Sequence, residues 1–307
     1  MSVEGGMPRE EVRWAAPRPG PGRRLPAGVN LLFLMASLYT TLLAGVLMAL
    51  DDYTPATMWD VMRTPSLWDL GLSYALPVLL ILGAHEMGHY VACRLYRIDA
   101  TLPFFIPGPP LFGTFGAVIR IRAPFTDRRA LFDIGVAGPI AGFVVAIPVL
   151  LYGLGHSTIV AAAPPAQHGF ILPSCLLLDL LYRWYFPGAT GSIQMHPAFA
   201  AAWLGLFATF LNLLPVGQLD GGHILYALSS RIHRSAARFV LPLMVVTGLL
   251  LGGIHLIVFA ILILMLGTRH PPMIYERRDL GRGRIAVAIL AFVIFILCLI
   301  PGGFQVS

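Results

Sequence analysis

The sequence predicts an all-α polytopic membrane protein with about seven transmembrane or re-entrant helices and a small membrane-associated β element between the second and third. Apolar residues make up 57% of the 307 residues, charged residues only 12%, and the mean hydropathy is +0.77. A soluble domain has no means of burying so large an apolar fraction. We therefore expect most of the chain to lie in a lipid bilayer.

The distribution of charge also favours a membrane protein. All 21 basic residues are arginine and the net charge is +6, which would by itself suit a nucleic-acid partner. The arginines, however, fall in clusters between apolar segments, as is typical of cytoplasmic loops. We therefore expect their partner to be the anionic headgroups of the lipid bilayer, and we expect no nucleic acid.

Apolar segments define the membrane domain, which we expect over residues 29–300. Residues 1–28 are rich in Pro, Gly and Arg and are predicted to form a disordered cytoplasmic tail, and residues 301–307 a C-terminal tail. Arg23 and Arg24 precede an apolar run of about 20 residues, which is too long for a cleaved leader and suggests a signal anchor. The predicted segments lie near 30–50, 73–95, 131–153, 197–214, 238–251, 254–267 and 284–300.

The arginine clusters set the predicted orientation. The basic N-terminal tail is expected in the cytoplasm, and the loops 51–72 and 154–196, which carry one arginine each, outside. The arginines after residue 268 return to the cytoplasmic side only if 238–267 crosses the bilayer twice or re-enters it. We predict a pair of helices turning at Gly252-Gly253, with the C-terminus outside. A re-entrant hairpin is the alternative, because each member is short.

Two regions are not simple membrane spans. Prolines and glycines in 101–122 forbid a regular helix, and the second half of that region alternates and is rich in Val and Ile. A strand or a short β-hairpin is predicted there, and we hypothesise that it pairs with an extended peptide as an added strand. Residues 172–186 have the pattern of an amphipathic interfacial helix on the outer face.

The most informative motif is HEMGH at 85–89, inside the apolar segment 73–95. His85 and His89 are four residues apart, so they share one helix face and can bind a zinc ion together. Glu86 between them is placed to act as a general base on water. Polar residues are costly in hydrocarbon, which argues against an incidental role. The motif therefore predicts a metal-dependent hydrolase within the membrane.

A catalytic zinc site needs a third protein ligand, and Asp220 is the candidate that the topology favours. It lies in NLLPVGQLDGG at 212–222, after a segment that crosses in the same direction as 73–95. Pro215 and Gly217 interrupt the helix, as expected where backbone lines a protein cavity. The alternative is that Asp220 is the N-cap of a cytoplasmic helix.

HEMGH in one segment and NLLPVGQLDGG in a later one resemble the site-2 protease family of intramembrane zinc metalloproteases. GPIAG at 138–142 matches the small-residue motif of that family's central segment. TFGAV at 114–118, ALFDI at 130–134 and RHPP at 269–272 further resemble the plastid and bacterial subgroup with ethylene-dependent gravitropism-deficient homologues. The resemblance covers residues from about 75 to about 300. The chain resembles the short bacterial form of the family, which has no PDZ domain.

The resemblance implies that His85, His89 and Asp220 bind one Zn²⁺ per chain and that Glu86 activates the attacking water. It also implies that Asn212 positions the substrate segment or stabilises the reacting carbonyl, and that the substrate is a transmembrane protein. Two positions depart from the family pattern. Gln218 stands where many members have proline, and Gly142 stands where some have asparagine.

The predicted function is hydrolysis of peptide bonds within or near transmembrane segments of membrane proteins. A metal-binding membrane transporter or channel is the alternative, since intramembrane His and Asp also line ion pathways. A transporter has no need of Glu86 as a base. A scaffold without turnover has no feature in its favour, and a zinc hydrolase of lipid or prenylated substrates does not explain NLLPVGQLDGG.

Three further expectations concern location and neighbouring residues. The short loops and basic N-terminus favour a bacterial plasma membrane, and neither the substrate nor the oligomeric state follows from the sequence. His223 is interpreted equally as a partner of the metal site or as a polar residue of a cytoplasmic helix. Asp133 is expected to form an interfacial ion pair beside Arg128 and Arg129.

Overall fold

The computed structural model describes residues 27–50, 54–122, 125, 127–160, 170–188, 192–268, 279–300 and 305–306. The predicted tails therefore lie almost wholly outside the described residues. The helices are α1 (Ala27–Leu50), α2 (Pro55–Arg63), α3 (Trp68–Leu95), α4 (Arg128–Gly155), α5 (Leu176–Tyr185), α6 (Pro197–Asn212), α7 (Asp220–Leu228), α8 (Ser230–Leu250), α9 (Ile254–Leu266) and α10 (Arg282–Cys298). The strands are β1 (Phe104–Pro107), β2 (Thr114–Val118), β3 (Thr158–Val160), β4 (Phe170–Ile171), β5 (Ser192–Gln194) and β6 (Gln305–Val306). The prediction of a mostly helical protein is confirmed.

Three helical stretches among the described residues are long and apolar enough to cross a membrane: Gly28–Leu50, Pro65–Leu95 and Arg128–Gly155. They contain three of the seven predicted segments. Two further helices, α6 and α9, are apolar but shorter than a full span. The count of seven spans therefore stays a prediction.

The stretch 238–267 belongs to two helices, α8 and α9, which are separated by a turn in which Gly252 has a φ of +69°. The first helix starts at Ser230, eight residues before the predicted start at 238. The hydroxyl of Ser229 accepts a hydrogen bond from the backbone N–H of Ile232 at 3.3 Å, which caps the helix at that point. The arginines at 231, 234 and 238 therefore lie on the first turns of α8 and not in a loop.

An antiparallel hairpin of β1 and β2 lies within the region between α3 and α4, pairing Phe104 with Val118 and Ile106 with Gly116. It packs against α1 and α3. A Cβ atom at Gly113 would lie 2.3 Å from the Cα of Thr41, so glycine is required for the hairpin turn to approach α1 this closely. The hairpin is thus fixed beside the helix that carries the HEMGH motif.

Helix α4 is the centre of the helical packing and contacts α3, α6, α7 and α10. Large buried side chains of α4 and α6 fill the space between these helices, and they include Phe132, Leu150, Trp203 and Phe210. Glycine lets the backbones of α4 and α6 approach each other closely, since a Cβ at Gly153 would lie 2.4 Å from the backbone nitrogen of Phe199. The packing therefore places α3, α4, α6 and α7 side by side.

Asp133 forms an ion pair, as predicted, but its partner is not one of the neighbouring arginines. Its carboxylate accepts hydrogen bonds from Nε and Nη2 of Arg284 on α10, at 2.8 and 2.7 Å, and from the hydroxyl of Tyr96. Arg128 and Arg129, the expected partners, donate instead to backbone carbonyls: Arg128 to the last residues of α7, and Arg129 to Asp279 at 2.8 Å. Carbonyls at a helix end have no partner within the helix, which explains why Arg128 is used there.

The predicted interfacial helix corresponds to α5. Leu178 is buried against the core, whereas Leu176, Leu180 and Trp184 are exposed. An exposed apolar face beside charged Asp179 and Arg183 is the pattern of a helix that lies at a membrane surface. That location stays a prediction.

Candidate metal centre

His85, Glu86 and His89 lie on the second half of α3 and are all buried, with 5, 8 and 7% of their surfaces exposed. The four-residue spacing brings both imidazoles to one face of the helix, where their ring centroids are 4.9 Å apart. That face points towards α4 and α7. The local sequence alone is sufficient to produce this half of the site.

The other half comes from the break between α6 and α7. Helix α6 ends at Asn212, and Gly217 in the following turn has a φ of +60°, which favours glycine. A Cβ at Gly221 would lie 2.0 Å from the carbonyl oxygen of Leu213, so glycine lets α7 fold back on this turn. As a result, α7 begins at Asp220 with its side chain directed at α3.

Asp220 is not the N-cap of α7, so the alternative interpretation is wrong. Leu219 holds that position, and Asp220 is the first helical residue. Oδ2 of Asp220 is 3.2 Å from Nε2 of His85 and 3.2 Å from Nε2 of His89. The structure therefore brings together the three residues that the sequence analysis named as metal ligands.

The three ligand atoms form a nearly equilateral triangle, because the two imidazole Nε2 atoms are also 3.2 Å apart. A tetrahedral zinc ion with ligands at about 2.0–2.1 Å holds its ligand atoms about 3.3 Å from one another. Two imidazole nitrogens and a carboxylate oxygen are also donors that zinc accepts. These residues therefore fit a zinc ion, and they are the one group of three or more potential ligands found among the described residues.

Two neighbours orient the His85 and His89 rings. Nδ1 of His89 donates a hydrogen bond to the carbonyl oxygen of Ile134 on α4 at 2.7 Å, which leaves Nε2 as the unprotonated nitrogen facing Asp220. Nδ2 of Asn212 lies 3.3 Å from Nε2 of His85. The residue predicted to contact substrate therefore borders the proposed ligand triangle.

Small residues of α4 make room for the imidazoles. A Cβ at Gly138 would lie 2.1 Å from Nε2 of His89, and a Cβ at Gly142 would lie 3.1 Å from the Cβ of His85. The sequence analysis identifies Gly138 and Gly142 only as part of a small-residue motif. Their closeness to the imidazoles becomes visible only when α3 and α4 are placed together.

Glu86 is beside the triangle and also contacts the β-hairpin region. Its carboxylate lies near the backbone of Ile119, just after β2, which packs against α3, and it interacts electrostatically with His89 and Asp220. A carboxylate next to a group of potential metal ligands is suitably placed to act as a general base. The hairpin and the candidate site are thus in direct contact.

Two other histidines lie near the broken segment. The ring of His223 on α7 contacts that of Phe125 in a tilted arrangement, with 5.6 Å between centroids, and its Cβ packs against Gly135. His233 on α8, which the sequence analysis did not single out, is buried and donates from Nε2 to the carbonyl of Gly217 at 3.0 Å. His233 therefore satisfies backbone that the break exposes, and no local sequence pattern identifies it.

Comparison with known proteins identifies the family to which the chain belongs. Residues 73–252 match the model of peptidase family M50. The chain is 29% identical over 319 residues to "Probable zinc metalloprotease EGY1, chloroplastic" of Oryza sativa subsp. japonica, covering 97% of this chain and 54% of that protein. It is 32% identical over 240 residues to the protein of the same name from Arabidopsis thaliana, covering 76% of this chain and 43% of that one.

A solved structure, "Site-2 Protease from Methanocaldococcus jannaschii", aligns over 80% of this chain and 90% of that one with a TM-score of 0.38 and 17% identity, too low to establish a common fold by itself. The chain spans about half the length of the plant relatives, which are described as chloroplastic. A bacterial plasma membrane therefore stays a prediction. The family match covers more than half of the chain and includes His85, His89 and Asp220. The chain belongs to peptidase family M50.

Proposed function

We propose that this chain is an intramembrane zinc metalloprotease that hydrolyses peptide bonds within or next to transmembrane segments of other membrane proteins. The observation that carries the proposal is the 3.2 Å triangle of His85, His89 and Asp220 within a bundle of apolar helices. Family membership and the names of the relatives support a protease.

One Zn²⁺ per chain is proposed at the triangle, held by the two Nε2 atoms and Oδ2 of Asp220. When bound, zinc supplies a Lewis acid that polarises a carbonyl and lowers the pKa of water from about 15.7 to about 7. The hydrogen bond from His89 to Ile134 and the space left by Gly138 keep the ligand atoms oriented before the ion arrives. The site is therefore preorganised for metal.

Glu86 is proposed as the general base. Its carboxylate takes a proton from the attacking water and later delivers it to the leaving amine. Burial keeps bulk water away from this carboxylate. Asn212, at the end of α6, is proposed to donate from Nδ2 to the substrate backbone, because its amide lies beside His85 and the triangle.

The outer edge of β2 is proposed to receive the unwound substrate as an added strand. The Arg120 carbonyl accepts a hydrogen bond from the Thr101 N–H, and the Arg120 N–H donates to the Thr101 hydroxyl. Because strand residues alternate in direction, Ile119 and Ala117, at odd steps from Arg120, direct their backbone groups away from β1. Ile119, on this outer edge, lies near Glu86. An extended peptide paired there would lie next to the general base.

The proposal is tested by replacing Glu86 with glutamine. Purified Glu86→Gln protein should retain zinc while the membrane-fragment proteome of cells that express it loses the cleavage products seen with wild type. Asp69→Asn is the matched control, since Asp69 is an exposed carboxylate on the same helix. Identical fragments from wild type and Glu86→Gln cells would contradict the protease. Metal flux through liposomes that survives Glu86→Gln would instead favour the transporter or channel.

A further inference from the structure

A basic cleft lies on the side of α7 away from its first residue. Its volume is about 420 Å³, within the size range of small-molecule sites. The cleft is formed where the first turn of α4 meets the turn between α7 and α8. Three arginines and two serines line it, and they are Arg128, Ser229, Ser230, Arg231 and Arg234.

The backbone explains why these side chains gather. Ser229 is extended, with a φ of −161° and a ψ of 108°, so the chain turns sharply between α7 and α8. Arg231 and Arg234 are three residues apart on α8 and therefore share one face of it. Arg128 reaches the same place from α4, since its guanidinium donates to the carbonyls of Ala227 and Leu228.

The positive charge of the cleft is not neutralised within the described part of the chain. Arg231 and Arg234 are exposed and form no ion pair with a described carboxylate, and no acidic side chain lines the cleft. The serines add hydroxyl donors. Guanidinium groups together with hydroxyl donors are the chemistry that binds phosphate.

We propose that this cleft binds the phosphate of an anionic lipid headgroup. The neighbouring surface of α8 carries exposed apolar side chains, including Ile232 at 59% and Phe239 at 74% exposure, which suit the acyl chains of the same lipid. A phosphate held here bridges α4 and α8 around the end of α7, whose first residue is Asp220. The cleft is separate from the proposed metal centre, and its occupation does not depend on catalysis.

The test measures binding of dioctanoyl phosphatidylglycerol to the full chain in a neutral detergent. The variant of the basic cleft, here called the pocket variant, is Arg231→Gln/Arg234→Gln, which leaves Arg128 and its helix contacts intact. The matched control is Arg238→Gln/Arg282→Gln, which removes the same charge from exposed positions outside the cleft. The pocket variant should bind about 10- to 30-fold more weakly than wild type, and the control within about twofold.

Ser230→Glu is the second variant, because an acidic residue is favoured in the first turn of a helix and should not disturb folding. Its carboxylate lines the cleft and should weaken binding by a similar factor. Equal loss in the pocket and control pairs, or unchanged binding by Ser230→Glu, would overturn the proposal. Inorganic phosphate and dioctanoyl phosphatidylcholine are titrated in parallel. Binding of inorganic phosphate as tight as that of the anionic lipid would overturn the assignment to a lipid and favour free phosphate.

Discussion

Gly138 of α4 stands in van der Waals contact with His89 of α3, and a β-carbon at that position would lie only 2.1 Å from the Nε2 atom of the imidazole. The missing side chain is what allows His89 to face Asp220. The small-residue motif of α4 is therefore part of the candidate site as well as of the helix packing.

Gly138→Ala should reduce zinc affinity by at least about tenfold, because the added methyl group displaces a proposed ligand. Zinc content after dialysis against a graded chelator measures this. Gly83→Ala on α3 is the control, since a Cβ at Gly83 would lie 3.4 Å from the ring of Phe105, an ordinary contact. Gly138→Ala protein that binds zinc as tightly as wild type would show that His89 does not need this space.

Asn212→Ala should lower kcat by about 10²- to 10³-fold if its amide stabilises charge on the reacting carbonyl. Zinc content should remain that of wild type, since Asn212 is not one of the three proposed ligands. The measurement is single-turnover cleavage of a membrane substrate identified with the Glu86→Gln strain. A rise in KM at constant kcat would instead show that Asn212 binds the substrate equally in the ground state and the transition state.

Ala117→Pro should abolish cleavage, because proline removes an N–H from the outer edge of β2 without removing a donor to β1. Ala117→Val is the control, as a β-branched residue keeps the N–H and suits a strand. Both variants are compared for cleavage and for zinc content. Ala117→Pro protein with normal turnover would rule out strand addition at this edge.

Stability should fall as the pH is lowered below about 6.5, the ordinary pKa of histidine, through the titration of His196. Nδ1 of His196 accepts a hydrogen bond from the N–H of Ala198 and caps α6, which requires the neutral ring. Burial, and then the nearby His156, lower the pKa of His196 in the folded protein. The unfolded chain therefore takes up the proton first as the pH falls, and the folded state loses stability.

His196→Asn should flatten this acid-side loss, because asparagine caps a helix but does not titrate in this range. The measurement is the apparent Tm in detergent at a series of pH values from about 7.5 to about 5, the range in which histidine titrates. A Tm profile of His196→Asn that still drops as steeply as wild type would show that other groups are responsible.

Local rules are sufficient for some parts of the site. The spacing of His85 and His89 fixes their common face, and the Pro and Gly residues after Asn212 fix the break that frees Asp220. Parts that depend on helices meeting across the bundle are not predictable in this way. Asp133 pairs with Arg284, 151 residues away, and not with the adjacent arginines of its own helix.

The break between α6 and α7 also has one feature that the local sequence predicts and one that it does not. Its existence follows from Pro215 and Gly217, but the partner of the Gly217 carbonyl, His233, is set by how α8 returns against the turn. Helix α8 also begins eight residues before the predicted membrane segment, because the Ser229 cap starts it at Ser230. A polar side chain that hydrogen-bonds to backbone far away in the sequence is not marked by any hydrophobic periodicity around it.

Helix α4 contacts both halves of the candidate centre, through Arg128 and through Ile134. The Arg128 guanidinium fastens the far end of α7, while the Ile134 carbonyl, less than two turns along α4, fastens the ring of His89. We therefore expect the His89 imidazole and the Asp220 carboxylate to keep their separation when a substrate binds. If the centre holds zinc as proposed, exchange of radioactive zinc should be no faster during turnover than at rest.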